Sequence, residues 1–145
     1  MNITVVGLGY VGLSNAVLLS QHNQVRVLEI VQEKVDLINQ GVSPIRDNEI
    51  QRFLTEENLK LEATTKLEYG YGHEPEFVVI AAPTDYDDEK DFFNTSILEG
   101  ALEDALRLAP DATIVIKSTI PVGYTKRINE KYKTDRMIFS PEFFP

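Results

Sequence analysis

The chain has 145 residues, 43% of them hydrophobic, which is enough for one domain of ordinary size around a single buried core. Its formal net charge is −9 and no cluster of Lys and Arg offsets it, so nucleic acid is not an expected partner. The absence of cysteine excludes disulfides, thiolate metal sites and a cysteine nucleophile within these residues. Neither a run of about 18 apolar residues nor a signal peptide is found, so we expect a cytoplasmic protein that does not enter the membrane.

Short apolar runs rich in β-branched residues alternate with segments of helical periodicity along the chain. The predicted strands, in chain order, cover 3–6, 25–30, 59–63, 77–81, 112–116 and 137–139. The predicted helices cover 11–21, 32–40, a segment that opens at 47–49, a segment that 94–95 can cap and that runs to about 108, and the residues between the turn 118–123 and 132. This alternation predicts one α/β domain over 1–145 with a doubly wound, mostly parallel sheet, helices on both faces and right-handed crossovers.

The first strand runs into a Gly-x-Gly-x-x-Gly loop at Gly7, Gly9 and Gly12, and an apolar helical segment follows. Gly7 permits the tight turn, Gly9 lets the backbone approach a pyrophosphate, and Gly12 lets the helix pack closely on the strand. The pyrophosphate would lie on the N–H groups of the helix N-terminus, where the helix dipole favours an anion. A glycine-rich turn alone is weak evidence, but a strand before it and a helix after it are the context of a Rossmann-fold dinucleotide site.

An acidic residue, Glu29, stands near the end of the second predicted strand and follows Gly7 by 22 residues. A carboxylate at about 20 residues' distance binds the adenosine ribose hydroxyls of NAD, and its charge repels the extra phosphate of NADP. We therefore predict NAD as the cofactor. The alternative is a solvated glutamate at the end of a strand, without a ligand.

In sheets of this kind ligands bind outside the carboxyl ends of the strands, so the residues that follow each strand are the candidates for function. Besides the glycine loop and 29–34, these are 82–86, 117–123 and 140–143. In these segments and after the second helix the chain reads Gly-Tyr-Val-Gly-Leu-Ser, Ser-Pro-Ile, Pro-Thr-Asp-Tyr-Asp, Lys-Ser-Thr-Ile-Pro-Val-Gly and Ser-Pro-Glu-Phe. Over nearly its whole length the chain resembles the UDP-glucose 6-dehydrogenases and their relatives, which oxidise nucleotide sugars.

The resemblance implies the residues that bind the cofactor. The backbone N–H groups of Tyr10 and Val11 would contact the pyrophosphate of NAD. Glu29 would bind the adenosine ribose, and Lys34 would lie beside the same ribose. Thr84 would border the cofactor. Read without the resemblance, Lys34 is a solvated helix lysine and Thr84 a turn or capping residue.

The resemblance also implies a four-electron oxidation of UDP-glucose to UDP-glucuronate, with two NAD and a covalent intermediate on a cysteine. Thr119 would lie near the nicotinamide and help to position water or a proton at the reacting carbon, unless it is a plain turn residue. Glu142 would contact the substrate. Because the family's catalytic lysine and cysteine, linking helix and dimer contacts lie beyond Pro145, we expect the cofactor half of an enzyme. It would bind NAD as a monomer or weak dimer and leave UDP-glucose unconverted.

Alternative functions remain open on the sequence. The chain could be a stand-alone dinucleotide-binding or redox-sensing module, or another Rossmann-type enzyme such as a methyltransferase or a flavoprotein. The substrate of the longer enzyme could also be another nucleotide sugar, UDP-N-acetylmannosamine or GDP-mannose, because the fold alone does not decide the substrate.

Two further features are interpreted as structural. His22 and His73 stand apart from any acid or nucleophile at useful spacing, so both are predicted to be surface histidines. The acidic run 85–91 lacks the alternating ligands and the glycine of a calcium loop. We interpret it as a solvated loop, and no metal site is predicted.

Overall fold

The computed structural model describes residues 1–87 and 92–141, and the described part of the chain folds as alternating strands and helices. The strands are β1 (Asn2–Val6), β2 (Gln24–Leu28), β3 (Leu61–Thr64), β4 (Phe77–Ile80), β5 (Asp85–Asp87), β6 (Phe92–Asn94), β7 (Thr113–Ile116) and β8 (Met137–Phe139). The helices are α1 (Tyr10–Ser20), α2 (Gln32–Asn39), α3 (Asn48–Glu56), α4 (Leu67–Tyr71), α5 (Ser96–Leu108) and α6 (Tyr124–Lys131).

Six of the strands form one sheet in the order β3-β2-β1-β4-β7-β8, and every neighbouring pair is parallel. The chain builds outward from β1 to β3 on one side, and then from β4 to β8 on the other. The strand order therefore reverses between β1 and β4, where the loops leave in opposite directions and a crevice forms. The predicted doubly wound parallel sheet is confirmed, and the glycine loop lies beside its crevice.

Two apolar clusters, one on each face, hold the helices on the sheet. On one face, α1, α2 and α3 pack on the strands through a cluster that includes Leu13, Val17, Val35, Ile38 and Ile50. On the other face, α5 and α6 pack through a cluster that includes Leu98, Leu102, Ala105, Tyr124 and Ile128. Because both faces of the central strands are covered, their buried side chains are apolar on both sides except for Thr4 of β1, as in other parallel sheets.

Some predicted boundaries were wrong. Strand β2 ends at Leu28 and does not reach Ile30, whose side chain is 93% exposed. The N–H of Glu29 still donates to Thr64 O, but the Glu29 carboxylate bonds the N–H of Val31, so the chain turns away from the sheet there. Strand β3 covers Leu61–Thr64, two residues later at its start than predicted.

The interpretation of 85–91 as a solvated loop was also wrong in part. Strand β5 pairs antiparallel with β6 in a two-stranded sheet of its own, while residues 88–91 lie outside the described part of the chain. The acidic residues suggested a loop, but Tyr86, Phe92 and Phe93 are aromatic residues that favour strands. The predicted cap at 94–95 is confirmed only in position, because Thr95 is the N-cap residue of α5 but its side chain makes no capping hydrogen bond.

At each edge of the six-stranded sheet, an asparagine from a neighbouring helix bonds the backbone of one strand residue. On β3, Asn39 Nδ2 donates to Ala63 O at 2.9 Å, and Ala63 N donates to Asn39 Oδ1 at 2.8 Å. On β8, Asn129 Nδ2 donates to Met137 O at 3.0 Å, and Met137 N donates to Asn129 Oδ1 at 3.3 Å. Unpaired edge groups are a template for pairing with another chain, so these amides satisfy the groups that would attract one.

We predict that Asn39→Ala destabilises the fold, because it leaves the outward N–H and carbonyl of Ala63 without their partner. The expected loss is about 1–2 kcal/mol of unfolding free energy, measured by urea denaturation. Gln40→Ala is the matched control, since Gln40 is the next residue and its side chain is exposed. Equal urea midpoints for the two variants would contradict the prediction.

His73 is not the surface histidine that the sequence predicted, whereas His22 is exposed as expected. Thr4 Oγ1 donates to Gly70 O at 2.7 Å, so it accepts from His73 Nε2 at 3.0 Å, which places the proton of the neutral ring on Nε2. The other ring nitrogen, Nδ1, is buried without a hydrogen-bond partner in the described structure. Burial, with a smaller contribution from the nearby charge of Arg26, lowers the pKa of His73 below its ordinary value. His73 thus joins β1 to the end of α4 as a neutral ring.

A pH dependence of stability follows from this contact. Since the pKa of His73 is lower in the folded state than in the unfolded chain, the unfolded chain binds the proton first. The contribution of the neutral His73 ring to the free energy of unfolding is complete above about pH 6.5, the pKa in the unfolded chain. It decreases as the pH falls from there towards the pKa in the folded state. The free energy of unfolding, measured with urea at a series of pH values from 8 to 5, should therefore fall more steeply for the wild type than for His73→Gln. The matched control His22→Gln should keep the slope of the wild type, and a common slope for all three proteins would refute the assignment.

Candidate functional site

The residues singled out from the sequence meet at the carboxyl ends of the parallel strands. The glycine loop follows β1, Glu29 follows β2, Thr84 follows β4 and Thr119 follows β7. Because β1 and β4 are neighbours at the point where the strand order reverses, these loops surround one crevice. Glu142 lies outside the described residues.

The glycine loop is tightly packed at its two outer glycines. Gly7 has φ +102°, and a Cβ there would lie 2.7 Å from Ala81 O. A Cβ on Gly12 would lie 2.0 Å from Gly7 O, well inside van der Waals contact. Glycine is therefore required at both positions for helix α1 to start against β1 and the end of β4.

The middle glycine is different, because a Cβ on Gly9 would meet no atom of the described structure within 4 Å. Gly9 is the N-cap of α1 and offers no capping side chain, and Leu13 N donates to Gly9 O at 2.9 Å as the first bond of the helix. The N–H groups ahead of Leu13 thus have no acceptor within the helix. Among the described residues none fills the space beside Gly9, and open space at a helix N-terminus is the arrangement that binds phosphate groups.

Glu29 connects the glycine loop to the start of α2. Its Oε1 accepts from Leu8 N at 3.1 Å, and its Oε2 accepts from Val31 N at 2.9 Å. The sequence predicted a ligand carboxylate here but not these two backbone contacts. A carboxylate offers about four lone-pair positions, so two remain for the hydroxyls of a ribose.

Lys34 lies on the first turn of α2 and is half-buried. Its backbone N–H donates to Val31 O, which puts it on the same turn that the Glu29 carboxylate holds. The side chains of Ile30 and Val31, between Glu29 and the helix, are exposed. The segment after β2 therefore carries one carboxylate, one lysine and two exposed apolar side chains.

The loops after β4, β7 and β8 are joined by side-chain hydrogen bonds. Thr84 Oγ1 donates to Thr119 O at 2.6 Å, so the two threonines that the sequence predicted to share a site are brought together. The buried Ser118 donates from Oγ to Ala82 O at 2.6 Å, and Lys117 Nζ donates to Ser140 Oγ at 3.1 Å. Thr119 itself is exposed at the crevice, which leaves its hydroxyl accessible to a ligand.

Sequence reasoning did not identify Ser118, Lys117 and Asp47 as residues that hold the site. Ser118 and Lys117 lie within a predicted loop, but nothing in the sequence indicates which backbone carbonyl or hydroxyl they contact. Asp47 was predicted only as the start of a helix, and its contact with Tyr10 is formed across 37 residues. Among the described residues, no three His, Cys, Asp or Glu side chains converge where they could hold a metal ion. None of the described helices has the length and apolar character needed to cross a bilayer.

Gly12→Ala provides a test of the loop geometry. The new methyl group would overlap the carbonyl of Gly7, so we expect a loss of at least about 2 kcal/mol in unfolding free energy, measured by urea denaturation. Gly100→Ala is the control, because a Cβ there meets nothing within 4 Å and Gly100 lies inside helix α5. That variant should gain about 0.5–1 kcal/mol. A Gly12→Ala protein as stable as the wild type would show that α1 does not approach β1 this closely.

Comparison with known proteins identifies relatives over the whole chain. The model of the UDP-glucose/GDP-mannose dehydrogenase family, NAD binding domain, matches residues 1–144. A UDP-glucose 6-dehydrogenase from Streptococcus pneumoniae is 48% identical over 143 residues, which is 99% of this chain and 36% of that protein. A UDP-glucose 6-dehydrogenase from Campylobacter jejuni is 43% identical over 145 residues, 99% of this chain and 37% of that protein. The chain thus spans a little over a third of the length of these relatives.

Solved structures show the same fold. A UDP-D-ManNAc dehydrogenase from Pyrococcus horikoshii has a TM-score of 0.87 and 28% identity, over 100% of this chain and 37% of that one. The chain therefore shares its fold with part of a nucleotide-sugar dehydrogenase.

Proposed function

Because this chain belongs to the UDP-glucose/GDP-mannose dehydrogenase family and matches its NAD-binding domain, we propose that residues 1–145 are one domain that binds NAD in a UDP-glucose 6-dehydrogenase. The observation that carries the proposal is the difference between the three loop glycines. Packing requires Gly7 and Gly12, whereas Gly9 borders open space before an uncapped helix N-terminus. The 48% and 43% identities to UDP-glucose 6-dehydrogenases support the choice of sugar nucleotide.

In this proposal NAD lies along the loops that follow β1, β2, β4 and β7. The backbone N–H groups of Tyr10 and Val11, at the start of α1, would hold the pyrophosphate. Glu29 would accept hydrogen bonds from the adenosine ribose through the lone pairs that Leu8 and Val31 do not use. Lys34 would lie beside this ribose.

NAD, when bound, supplies the acceptor for a hydride from the sugar. The residues of this chain position the groups around that reaction. The hydrogen bond from Thr84 holds the backbone at Thr119, and the Thr119 hydroxyl would border the nicotinamide and position water or a proton at the reacting carbon. Glu142 would contact the substrate.

The oxidation as a whole is assigned to a longer protein. A covalent route at the aldehyde level needs a thiolate, and these 145 residues contain no cysteine. By themselves they would bind NAD, stay monomeric or associate weakly, and leave UDP-glucose unconverted. We place this activity in the cytoplasm.

A second candidate differs only in the sugar. The similarity to a UDP-D-ManNAc dehydrogenase structure, at a TM-score of 0.87, favours an N-acetylated nucleotide sugar as the alternative substrate. Identity is lower there, at 28% against 48% for the UDP-glucose enzyme, so UDP-glucose remains the proposal.

The proposal predicts that the chain binds NADH at least about tenfold more tightly than NADPH, because the Glu29 carboxylate repels a phosphate on the ribose. Isothermal titration calorimetry with both cofactors measures this ratio. Replacing the charge in Glu29→Gln should reduce the ratio, and replacing Gly9 with Val should weaken binding of both cofactors by filling the open space before α1.

Glu33→Gln is the matched control, since Glu33 is an exposed carboxylate on the first turn of α2. It should keep the preference of the wild type. Equal or tighter binding of NADPH to the wild type would refute the ribose assignment, and the absence of binding to either cofactor would refute the proposed function.

A further inference from the structure

If the start of helix α1 binds a pyrophosphate, its first turn must be held in place without a side-chain cap. A side-chain N-cap stabilises a helix by occupying the N–H groups of its first turn. Here the N-cap is Gly9, which has no side chain, and the first turn contains no acidic residue. No side chain of the N-cap residue bonds this turn, so the turn lacks the contact that holds the first turn of other helices in place.

A hydrogen bond from another part of the chain supplies that contact. Tyr10, the first residue of α1, donates from its hydroxyl to Asp47 Oδ2 at 2.9 Å. The other oxygen of the same carboxylate, Oδ1, accepts from Ile50 N at 3.0 Å, so Asp47 is also the N-cap of α3. Ile50 is buried in the cluster that contains Leu13 of α1. One carboxylate therefore joins the first turns of two helices that share a core.

We propose that Asp47 is a positioning residue for the cofactor, which through the Tyr10 hydroxyl holds the first turn of α1 in the geometry that receives the pyrophosphate. This inference rests on the proposed function. Asp47 does not touch the ligand; it acts through Tyr10, whose backbone N–H would do so. A loop held in its binding geometry before the ligand arrives binds more tightly, because less freedom is lost on binding.

The charges of the pair fit this role. The N–H of Ile50 and the hydroxyl of Tyr10 hold the pKa of Asp47 below its ordinary value, and the Asp47 contact raises the pKa of Tyr10. At neutral pH the bond thus joins a protonated phenol to a carboxylate, and bonds to ionised acceptors are stronger than neutral ones. Each oxygen of the Asp47 carboxylate accepts a hydrogen bond from the protein, one from Tyr10 and one from Ile50.

The two functions of Asp47 can be separated by substitution. Asp47→Ser keeps an oxygen that can cap α3 but cannot also reach Tyr10, and Tyr10→Phe keeps the Asp47 cap and removes only the donor. Both variants should unfold in urea near the midpoint of the wild type and bind NADH about three- to tenfold more weakly. The double variant should bind no more weakly than either single variant, because the two side chains make one contact.

Tyr69→Phe is the matched control. Tyr69 is also exposed and also donates its hydroxyl to a carboxylate, that of Glu62, but it lies on α4 outside the glycine loop. Its NADH affinity, measured by calorimetry, should equal that of the wild type.

The outcomes are distinct. If the wild type binds NADH and both Tyr10→Phe and Asp47→Ser bind it equally well, the positioning role is wrong and the proposed function stands. If their affinities fall only in proportion to a loss of folded protein, the contact serves stability alone and the positioning role is again wrong. If the wild type does not bind NADH, the proposed function and this inference are both refuted.

Discussion

The first turn of helix α1 lies against the carboxyl ends of β1 and β4, and glycine at positions 7 and 12 is the reason that it can. A Cβ on Gly12 would come within 2.0 Å of Gly7 O, so any other residue would push the helix away from the strand. The helix that starts there follows β1, next to the point where the strand order reverses. The position of the crevice, its polarity and the residues that can line it all depend on this contact.

Two carboxylates hold the loop from its two sides, one through a backbone N–H and one through a side-chain hydroxyl. Glu29 binds the backbone at Leu8 on the strand side, and Asp47 binds the Tyr10 hydroxyl on the helix side. In a chain of net charge −9 such acids could repel a phosphate, but each of these makes hydrogen bonds to donors of the protein. Acidic residues thus support the loop through bonds to donors of the protein itself.

The two halves of the sheet have the same kind of side-chain hydrogen bond at their outer edges but differ in the hydrogen bonds near the crevice. Asn39 and Asn129 each pair with both backbone groups of one edge residue, although they come from helices far apart in the chain. Near the crevice, the second half joins its loops through Thr84, Ser118 and Lys117. These cross-loop bonds fix the relative height of the loops after β4, β7 and β8.

The sequence by itself determined the strand and helix order, the parallel sheet, the glycine loop and the spacing to Glu29. Each of these depends on residues near one another in the chain. The spacing of hydrophobic residues, the residues of the turns and the positions of glycines act locally, so they can be recognised without coordinates. Even so, the acidic residues of 85–91 led to the prediction of a loop where strands β5 and β6 pair. His73 was predicted to be a surface residue, but it contacts Thr4. The tertiary structure alone decided which partners distant side chains would meet. Asp47 reaches Tyr10, Asn39 reaches Ala63 and Thr84 reaches Thr119 because packing of apolar faces brings their elements together, and a polar side chain then bonds whichever donor or acceptor lies within about 3 Å.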